Sequence, residues 1–245
     1  MTAVPPVLKS TEAADAGAGA ALDWFRAELN ERLVVHWTGG AWRVPLATRH
    51  LAVTAADGSG LGRIVCAESA DMHRAFMGLR PGAGLDADRL EAALAPFARL
   101  MTGVRALEGF AGDGWDIDAA ARGMAAAAYA DGPVALLSAA DRPVSELIGR
   151  LAALAGRGAV WKPAPGAAAS AHLAMRALAP HLGAAVALVQ GDHATGAVLA
   201  QGARPVWLGR AAPPRDLGDQ PRGQSPTPQA ILGSIRPSAS SSRRA

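Results

Sequence analysis

Residues 159–192 read AVWKPAPGAAASAHLAMRALAPHLGAAVALVQGD, in which two apolar runs flank an alanine-rich segment. The run 158–162 predicts a strand, 167–181 predicts a helix, and 184–191 predicts a second strand. Strands that are apolar along their whole length are typical of a parallel sheet with both faces covered. This stretch therefore predicts a strand–helix–strand unit of an α/β fold.

The same alternation continues on both sides of this unit. The runs 133–138 and 204–209 predict two further strands, and 143–156 and 194–201 predict the helices that connect them to the central unit. Four such strands joined by three crossovers are expected to form a partial doubly wound, Rossmann-like parallel sheet.

The N-terminal part has a different pattern, which predicts helices and β-hairpins. Gly39-Gly40 separates two apolar runs within 34–44, and a glycine-rich turn at 57–60 divides 50–67 in the same way. Apolar residues at helical spacing predict helices around 22–33 and 69–76, with Ser69 or Asp71 as the cap of the second. A third helix is predicted from the stripe Leu90, Leu94, Phe97 and Met101.

Composition divides the chain into three parts. Residues 1–19 are rich in Pro, Ala and Gly and are expected to be a flexible N-terminus. Residues 20–210 are expected to form the folded domain. Residues 211–245 are dominated by Pro, Gly, Ser and Arg and predict a low-complexity, disordered tail, because such a sequence buries too little apolar surface.

Charge and hydropathy limit the classes of partner. The net charge is +3 and the arginines are spread along the chain, so no nucleic-acid partner is expected. No apolar run is long enough for a membrane span, and the N-terminus lacks the pattern of a signal peptide. These features predict a cytoplasmic protein without a membrane partner.

Cysteine and histidine usage gives no sign of a metal centre. Cys66 is the single cysteine, which excludes a disulfide framework within the chain and a cysteine zinc site. The six histidines lack the spacing of a metal cluster. No metal ligands are predicted, and Cys66 is expected to be a small buried apolar residue.

Lys162 stands out because only two of the 24 Lys and Arg residues are lysines. It ends a predicted parallel strand, and doubly wound folds bind ligands at the carboxyl ends of their strands. Two interpretations follow. Lys162 either faces a ligand crevice or is a surface lysine whose aliphatic stem lies along the protein.

Over about residues 33–210 the sequence resembles the aldehyde dehydrogenase superfamily. The segment VHWTGGAWR (35–43) is similar to that family's opening hairpin, and GSGLGRIVCAESADMHRAF (58–76) is similar to the segment that follows it. The most specific block runs from Gly156 to Gly209, in which Lys162-Pro163, Gly191, Gly196 and Gly209 occur in the family's order and approximate spacing.

The resemblance implies a remnant of a cofactor site. It assigns Lys162, Gly191 and Gly209 to cofactor binding, with the lysine on the ribose hydroxyls of NAD(P). Other positions depart from the family's pattern: Pro165 replaces a ribose-binding glutamate, Arg210 replaces a serine, and Pro213-Pro214 stands where a phosphate-binding helix would begin. We therefore predict no cofactor, with NAD(P) conceivable only as an ancestral remnant.

The resemblance also implies that the catalytic groups are missing. The family's cysteine nucleophile and glutamate base lie downstream of the element that ends at Gly209, and the 245 residues end before them. The oxyanion asparagine falls in SAADRP (138–143), where Asp141 takes its place. An ionised carboxylate cannot donate a hydrogen bond to an oxyanion. No catalytic residue is predicted.

Three functions remain open. The first is a truncated aldehyde dehydrogenase-like pseudoenzyme that serves as a non-catalytic binding or partner subunit, for instance beside a full-length aldehyde dehydrogenase-like chain. The second is the NAD(P)-binding half of a split oxidoreductase that another chain completes. The third is an unrelated nucleotide-binding module.

The resemblance also bears on assembly. Only a few residues connect the helix predicted near Tyr129 to the strand that begins at Pro133, which implies that the family's oligomerisation hairpin is absent.

Overall fold

The computed structural model describes residues 18–125 and 132–214. The predictions for 1–17 and 215–245 therefore lie outside the described residues. The second half of the domain alternates strands and helices as the sequence pattern predicts. Its elements are β5 (Val134–Ser138), α6 (Val144–Leu154), β6 (Ala159–Pro163), α7 (Ala168–Leu182), β7 (Val186–Leu188), α8 (His193–Gly202) and β8 (Arg204–Leu208).

These four strands are parallel and lie in the order β7-β6-β5-β8. Leu136 of β5 pairs with Trp161 on one side and with Val206 on the other. The chain moves outward from β5 through β6 to β7 and then returns to β8 on the opposite side of β5. β5 and β8 therefore flank the topological switch point, where ligands bind in doubly wound folds. The predicted Rossmann-like α/β fold is confirmed.

A β-hairpin extends the sheet beyond β7. Strands β1 (His36–Thr38) and β2 (Ala41–Arg43) are antiparallel, and β1 also runs antiparallel to β7, which gives a six-stranded sheet. Gly39 and Gly40 have φ angles of 60° and 77°, a backbone that favours glycine at both central turn positions. The second predicted hairpin forms a separate two-stranded sheet of β3 (His50–Thr54) and β4 (Gly60–Val65).

The N-terminal part also forms helices, most of which pack on other helices of the domain and not on the six-stranded sheet. They are α1 (Ala18–Arg32), α2 (Ser69–Gly78), α3 (Ala87–Leu94), α4 (Ala98–Leu107) and α5 (Ile117–Ala125). The single helix predicted from the stripe at 90–101 is wrong, because a 3₁₀ turn at Ala95–Phe97 separates α3 from α4. Pro96 within this turn cannot donate a backbone hydrogen bond, which interrupts an α-helix.

Two predicted helix ends also differ in detail. The N-cap of α2 is Glu68, and not Ser69 or Asp71. Asp71 lies in the first turn of the helix, where its carboxylate accepts a hydrogen bond from the Glu68 backbone N–H and completes a capping box. α6 ends at Leu154 rather than at the predicted Gly156. Gly158 adopts φ 85° and its N–H donates to the Leu154 carbonyl, so Gly158, and not Gly156, terminates the helix.

The parallel sheet has two differently covered faces. On the first face Leu136, Trp161 and Leu188 pack with apolar residues of α6 and α7. On the second face Leu137, Val160 and Ala187 pack with residues of α2 and α8. Because side chains alternate along a strand, consecutive residues at a strand end face different surroundings. This alternation decides which candidate site residues can meet.

Candidate functional site

Lys162 lies near the carboxyl end of β6 on the second face. Its side chain is 7% exposed, and its Nζ and Cδ lie 3.9 and 3.8 Å from the position that a β-carbon on Gly196 of α8 would occupy. Burial lowers the pKa of Lys162 to about 8, and the nearby Asp192 carboxylate partly opposes this effect. Lys162 is therefore a buried cation and not the surface lysine of the alternative interpretation.

The turn from β7 to α8 is built around Gly191. A β-carbon at this position would come within 2.5 Å of Thr195 Cβ, so only glycine fits there. The next residue, Asp192, caps α8 by accepting from the Thr195 N–H at 3.0 Å. Arg49 donates to the same carboxylate at 2.6 Å and, with the Thr195 bond, holds the pKa of Asp192 far below its usual value. The N-terminus of α8 is thus filled by the protein's own carboxylate.

The segment after β8 is covered by Trp207. Its indole N–H donates to the Ala211 carbonyl at 2.9 Å, and a β-carbon on Gly209 would lie 2.6 Å from the ring. Gly209 is therefore needed for the tryptophan to fold over this segment. Pro213 and Pro214 follow within the described residues, and neither has an amide hydrogen to donate.

A cavity of about 870 Å³ opens at the switch point, beyond the carboxyl ends of β5 and β8. Asp141, from the loop between β5 and α6, and Arg210, two residues after β8, both line it. The rest of the wall comes from Thr102 of α4, from residues 109–116 after α4, from Ala119 and Arg122 of α5, and from the start of α6. We call this space the switch-point cavity.

The structure thus divides the residues singled out from the sequence into two groups. Asp141 and Arg210 both line the switch-point cavity. Lys162, Gly191 and Gly196 lie together on the second face, next to α8. Cys66 follows β4 and is fully buried, as expected. No group of three His, Cys, Asp or Glu residues suited to a metal occurs among the described residues.

A buried arginine that sequence analysis missed holds the wall of the cavity. Arg105 is 1% exposed, and its guanidinium bonds to the carboxylates of Asp113 at 2.7 Å and Glu108 at 2.9 Å. It also donates to the backbone carbonyls of Ala140, at 2.8 Å, and Arg142, at 3.4 Å. These two carbonyls flank Asp141, so Arg105 fixes the loop that carries it.

Two carboxylates complete this network. Asp113 accepts from the Val144 N–H at the start of α6, at 3.2 Å. Glu108 accepts from the Ser170 N–H in the first turn of α7, at 2.8 Å. Burial raises the pKa of Glu108, while the bonds from Ser170 and Arg105 act in the opposite direction. The only sequence signal for this network is the Arg105–Glu108 spacing of three residues on one helix.

No family model matches this sequence, and no curated protein matches it. Several solved structures do match. Delta-pyrroline-5-carboxylate dehydrogenase from Mycobacterium tuberculosis, bound with NAD and cobalamin, matches with a TM-score of 0.56 at 20% identity, over 84% of this chain and 49% of that chain. NAD-dependent aldehyde dehydrogenase from Sinorhizobium meliloti matches with a TM-score of 0.57 at 14% identity, over 74% of this chain and 46% of that chain.

HpcC from Thermus thermophilus matches with a TM-score of 0.56 at 17% identity, over 77% of this chain and 46% of that chain. The chain therefore spans about half the length of the structures that it matches. Among the described residues, no helix has the length and apolar character needed to cross a bilayer. The described part of the chain has the fold of the N-terminal half of the aldehyde dehydrogenases, which confirms the resemblance seen in the sequence.

Proposed function

We propose that this chain is an aldehyde dehydrogenase-like pseudoenzyme that acts in the cytoplasm as a non-catalytic binding or partner subunit. The observation that carries the proposal is the position of its single cysteine. Cys66 is 0% exposed and is not part of the wall of the switch-point cavity. A cysteine nucleophile needs access to its substrate and a neighbour that favours the thiolate.

Asp141 supports the same proposal. The resemblance places it where the family has an asparagine that donates to the developing oxyanion. A carboxylate at this point offers no donor and repels negative charge, so the electrostatic stabilisation of the transition state is lost. The loop is fixed by Arg105 on both sides of Asp141, which leaves little freedom for another group to take over.

The residues present do not form a complete site for NAD(P). Lys162 is suited to a ribose by its position, but its ammonium group is packed against α8. Asp192 fills the N-terminus of that helix, and Trp207 covers the segment at 209–211. A dinucleotide needs free backbone donors for its phosphates, and both of these segments are occupied by the chain itself.

The purified chain is expected to be inert towards aldehydes and NAD(P). No NAD(P) reduction is expected with a panel of aliphatic, aromatic and amino-substituted aldehydes, because nucleophile access and oxyanion donor are both missing. Calorimetry with NAD⁺ and NADP⁺ should give a dissociation constant no tighter than about 1 mM. Turnover that disappears in Cys66→Ala, or micromolar binding that Lys162→Ala weakens, would contradict the proposal.

The partner in this proposal is a full-length aldehyde dehydrogenase-like chain. β8 is the last strand of the sheet among the described residues, and its first three residues are exposed or only half buried. Such an edge presents unpaired backbone groups that can accept a strand from another chain. Eight residues lie between Ala125 of α5 and Val134 of β5 in the sequence, which is fewer than a long oligomerisation hairpin needs.

The partner is expected to co-purify with this chain. A tagged copy expressed in the native cell should retain one aldehyde dehydrogenase-like chain, identified by mass spectrometry. Val206→Lys on the edge strand should reduce that recovery, whereas Arg99→Met on the exposed side of α4 serves as the control. A monodisperse monomer by light scattering, with no such chain recovered from native extract, would contradict the proposal.

The burial of Lys162 favours a second candidate function, in which the chain binds a nucleotide. A buried lysine with a lowered pKa is unfavourable for folding, so its presence favours a retained ligand on the second face. The chain would then be the NAD(P)-binding half of a split oxidoreductase that a separate chain completes. Micromolar NAD(P) binding that appears only when the partner is added would favour this function over the first.

A further inference from the structure

The six-stranded sheet has two edges among the described residues, β2 and β8, and β8 is the longer. β2 spans three residues and is held in a tight hairpin with β1. β8 spans five residues, of which the first four are exposed or half buried. Short edge strands are one of the ways in which proteins prevent a further strand from pairing. The β8 edge is therefore the edge at which another strand can be added.

The hydrogen bonds of β5 show which backbone groups of β8 face outward. The Ala139 N–H donates to the Leu208 carbonyl at 2.8 Å, so Leu208 directs its backbone groups towards β5. Successive residues of a strand direct their N–H and C=O groups to opposite sides. Pro205 and Trp207 therefore direct their backbone groups away from β5, towards the open edge of the sheet.

Pro205 restricts what can pair with this edge. Proline has no amide hydrogen, so the outward-facing groups of β8 are the C=O of Pro205 and the N–H and C=O of Trp207. Proline on an edge strand is one of the devices that prevent copies of the same chain from pairing edge to edge. Within β8, Trp207 supplies the outward-facing donor.

The strand order indicates which kind of strand fits. The parallel strands lie in the order β7-β6-β5-β8, which corresponds to positions 3-2-1-4 of the usual doubly wound sheet. In that order a fifth parallel strand follows the fourth. Val206 on the first face and Trp207 on the second face are only partly buried. A strand added here would cover apolar surface on both faces.

We propose that a strand of the partner chain binds along the open edge of β8, in the fifth position of the sheet, with its backbone bonded to Trp207 and to the carbonyl of Pro205. This inference rests on the proposed function, because it assumes a partner, and it names the surface through which that partner binds. The fitting segment is extended and apolar, since main-chain hydrogen bonds and alternate side chains carry this mode of recognition.

An alternative occupant of the edge lies in this chain. Residues 215–245, outside the described residues, contain one group of large apolar side chains, from Ile231, Leu232 and Ile235. Gly233 interrupts this group, and glycine is disfavoured within strands. The sequence therefore favours a segment of the partner over this one.

Hydrogen exchange of the full chain, measured at single residues, tests whether the edge is open. The Trp207 amide is expected to exchange at least about a hundredfold faster than the Val206 amide, which faces β5 and serves as the internal control. In the complex with the co-purified partner, exchange at Trp207 should slow by about tenfold or more. A Trp207 amide that is already protected in the isolated chain, or one that stays unprotected in the complex, would overturn the proposal.

Pro205 gives a test that needs no partner. Pro205→Val adds an outward-facing N–H and a residue favoured in strands, so copies of the variant are expected to pair with one another. Light scattering should then give a larger mass than for the wild type, and Pro81→Val, at an exposed position outside the sheet, is the matched control. Equal masses of Pro205→Val and the wild type would mean that β8 does not accept a strand. Self-association of the variant without any recovered partner would contradict the proposed function, and with it the choice of a partner strand, although the edge is open.

Discussion

Arg105→Met is expected to lower the free energy of unfolding by about 3–5 kcal/mol, the range found when one member of a buried ion pair is removed. The substitution keeps much of the side-chain volume and removes the positive charge. Glu108, whose side chain is 1% exposed, would then be a buried carboxylate without a cation, and Asp113 would lose its closest donor. Urea denaturation of the purified chain measures this change.

Two controls separate this network from a general effect of losing an arginine. Arg99→Met, on the same helix but exposed, should change stability by less than about 0.5 kcal/mol. Adding Glu108→Gln to Arg105→Met should restore part of the loss, because the unpaired buried charge is removed as well. If Arg105→Met unfolds at the same urea concentration as the wild type, the network does not hold the loop.

The α/β core was predictable because its signal is local. The strands near 134–138 and 159–163 are buried at every residue, so their sequences are apolar except at Ser138 and Lys162 near their carboxyl ends, and helices with an apolar face connect them. Gly39-Gly40 identified the first hairpin because two consecutive residues with positive φ almost require glycine. In both cases the physical requirement lies within a few consecutive residues.

The break between α3 and α4 was missed because the apolar stripe is continuous across it. Leu90 and Leu94 before the break and Met101 after it are all buried in one core. Side-chain periodicity reports which residues face the core, and it does not report whether the backbone between them is α-helical or 3₁₀. Pro96 was the available signal.

The site could be predicted only in part because its residues meet through tertiary structure. Asp141 and Arg210 are about seventy positions apart in sequence and share the cavity only because β5 and β8 are neighbours. Lys162 lies on the other face because of strand alternation. Arg105 gave only the three-residue spacing to Glu108 as a signal, since a buried arginine and an exposed one look alike in a sequence without their partners in space.

Lys162→Met is expected to stabilise the chain at pH 7 by up to about 3 kcal/mol. The difference between the folded pKa of about 8 and the usual 10.5 corresponds to roughly that free energy, and it represents the cost of burying the ammonium group. At pH 7 the lysine is protonated in the folded and the unfolded chain, so the whole cost is present. Methionine fills similar space without a charge.

The pH dependence provides a test that does not rest on a single stability value. Between pH 8 and pH 10.5 the unfolded chain binds more protons at Lys162 than the folded chain, so wild-type stability should rise with pH relative to the variant. The advantage of Lys162→Met should therefore shrink through this range and vanish above it, because the lysine is then neutral in both states. Urea denaturation of both proteins at pH 7, 8, 9 and 10 measures the difference, in which the titration of all other groups cancels. A constant difference across these pH values, or a less stable variant at pH 7, would mean that the ammonium group is paired or solvated and that burial of Lys162 carries no cost.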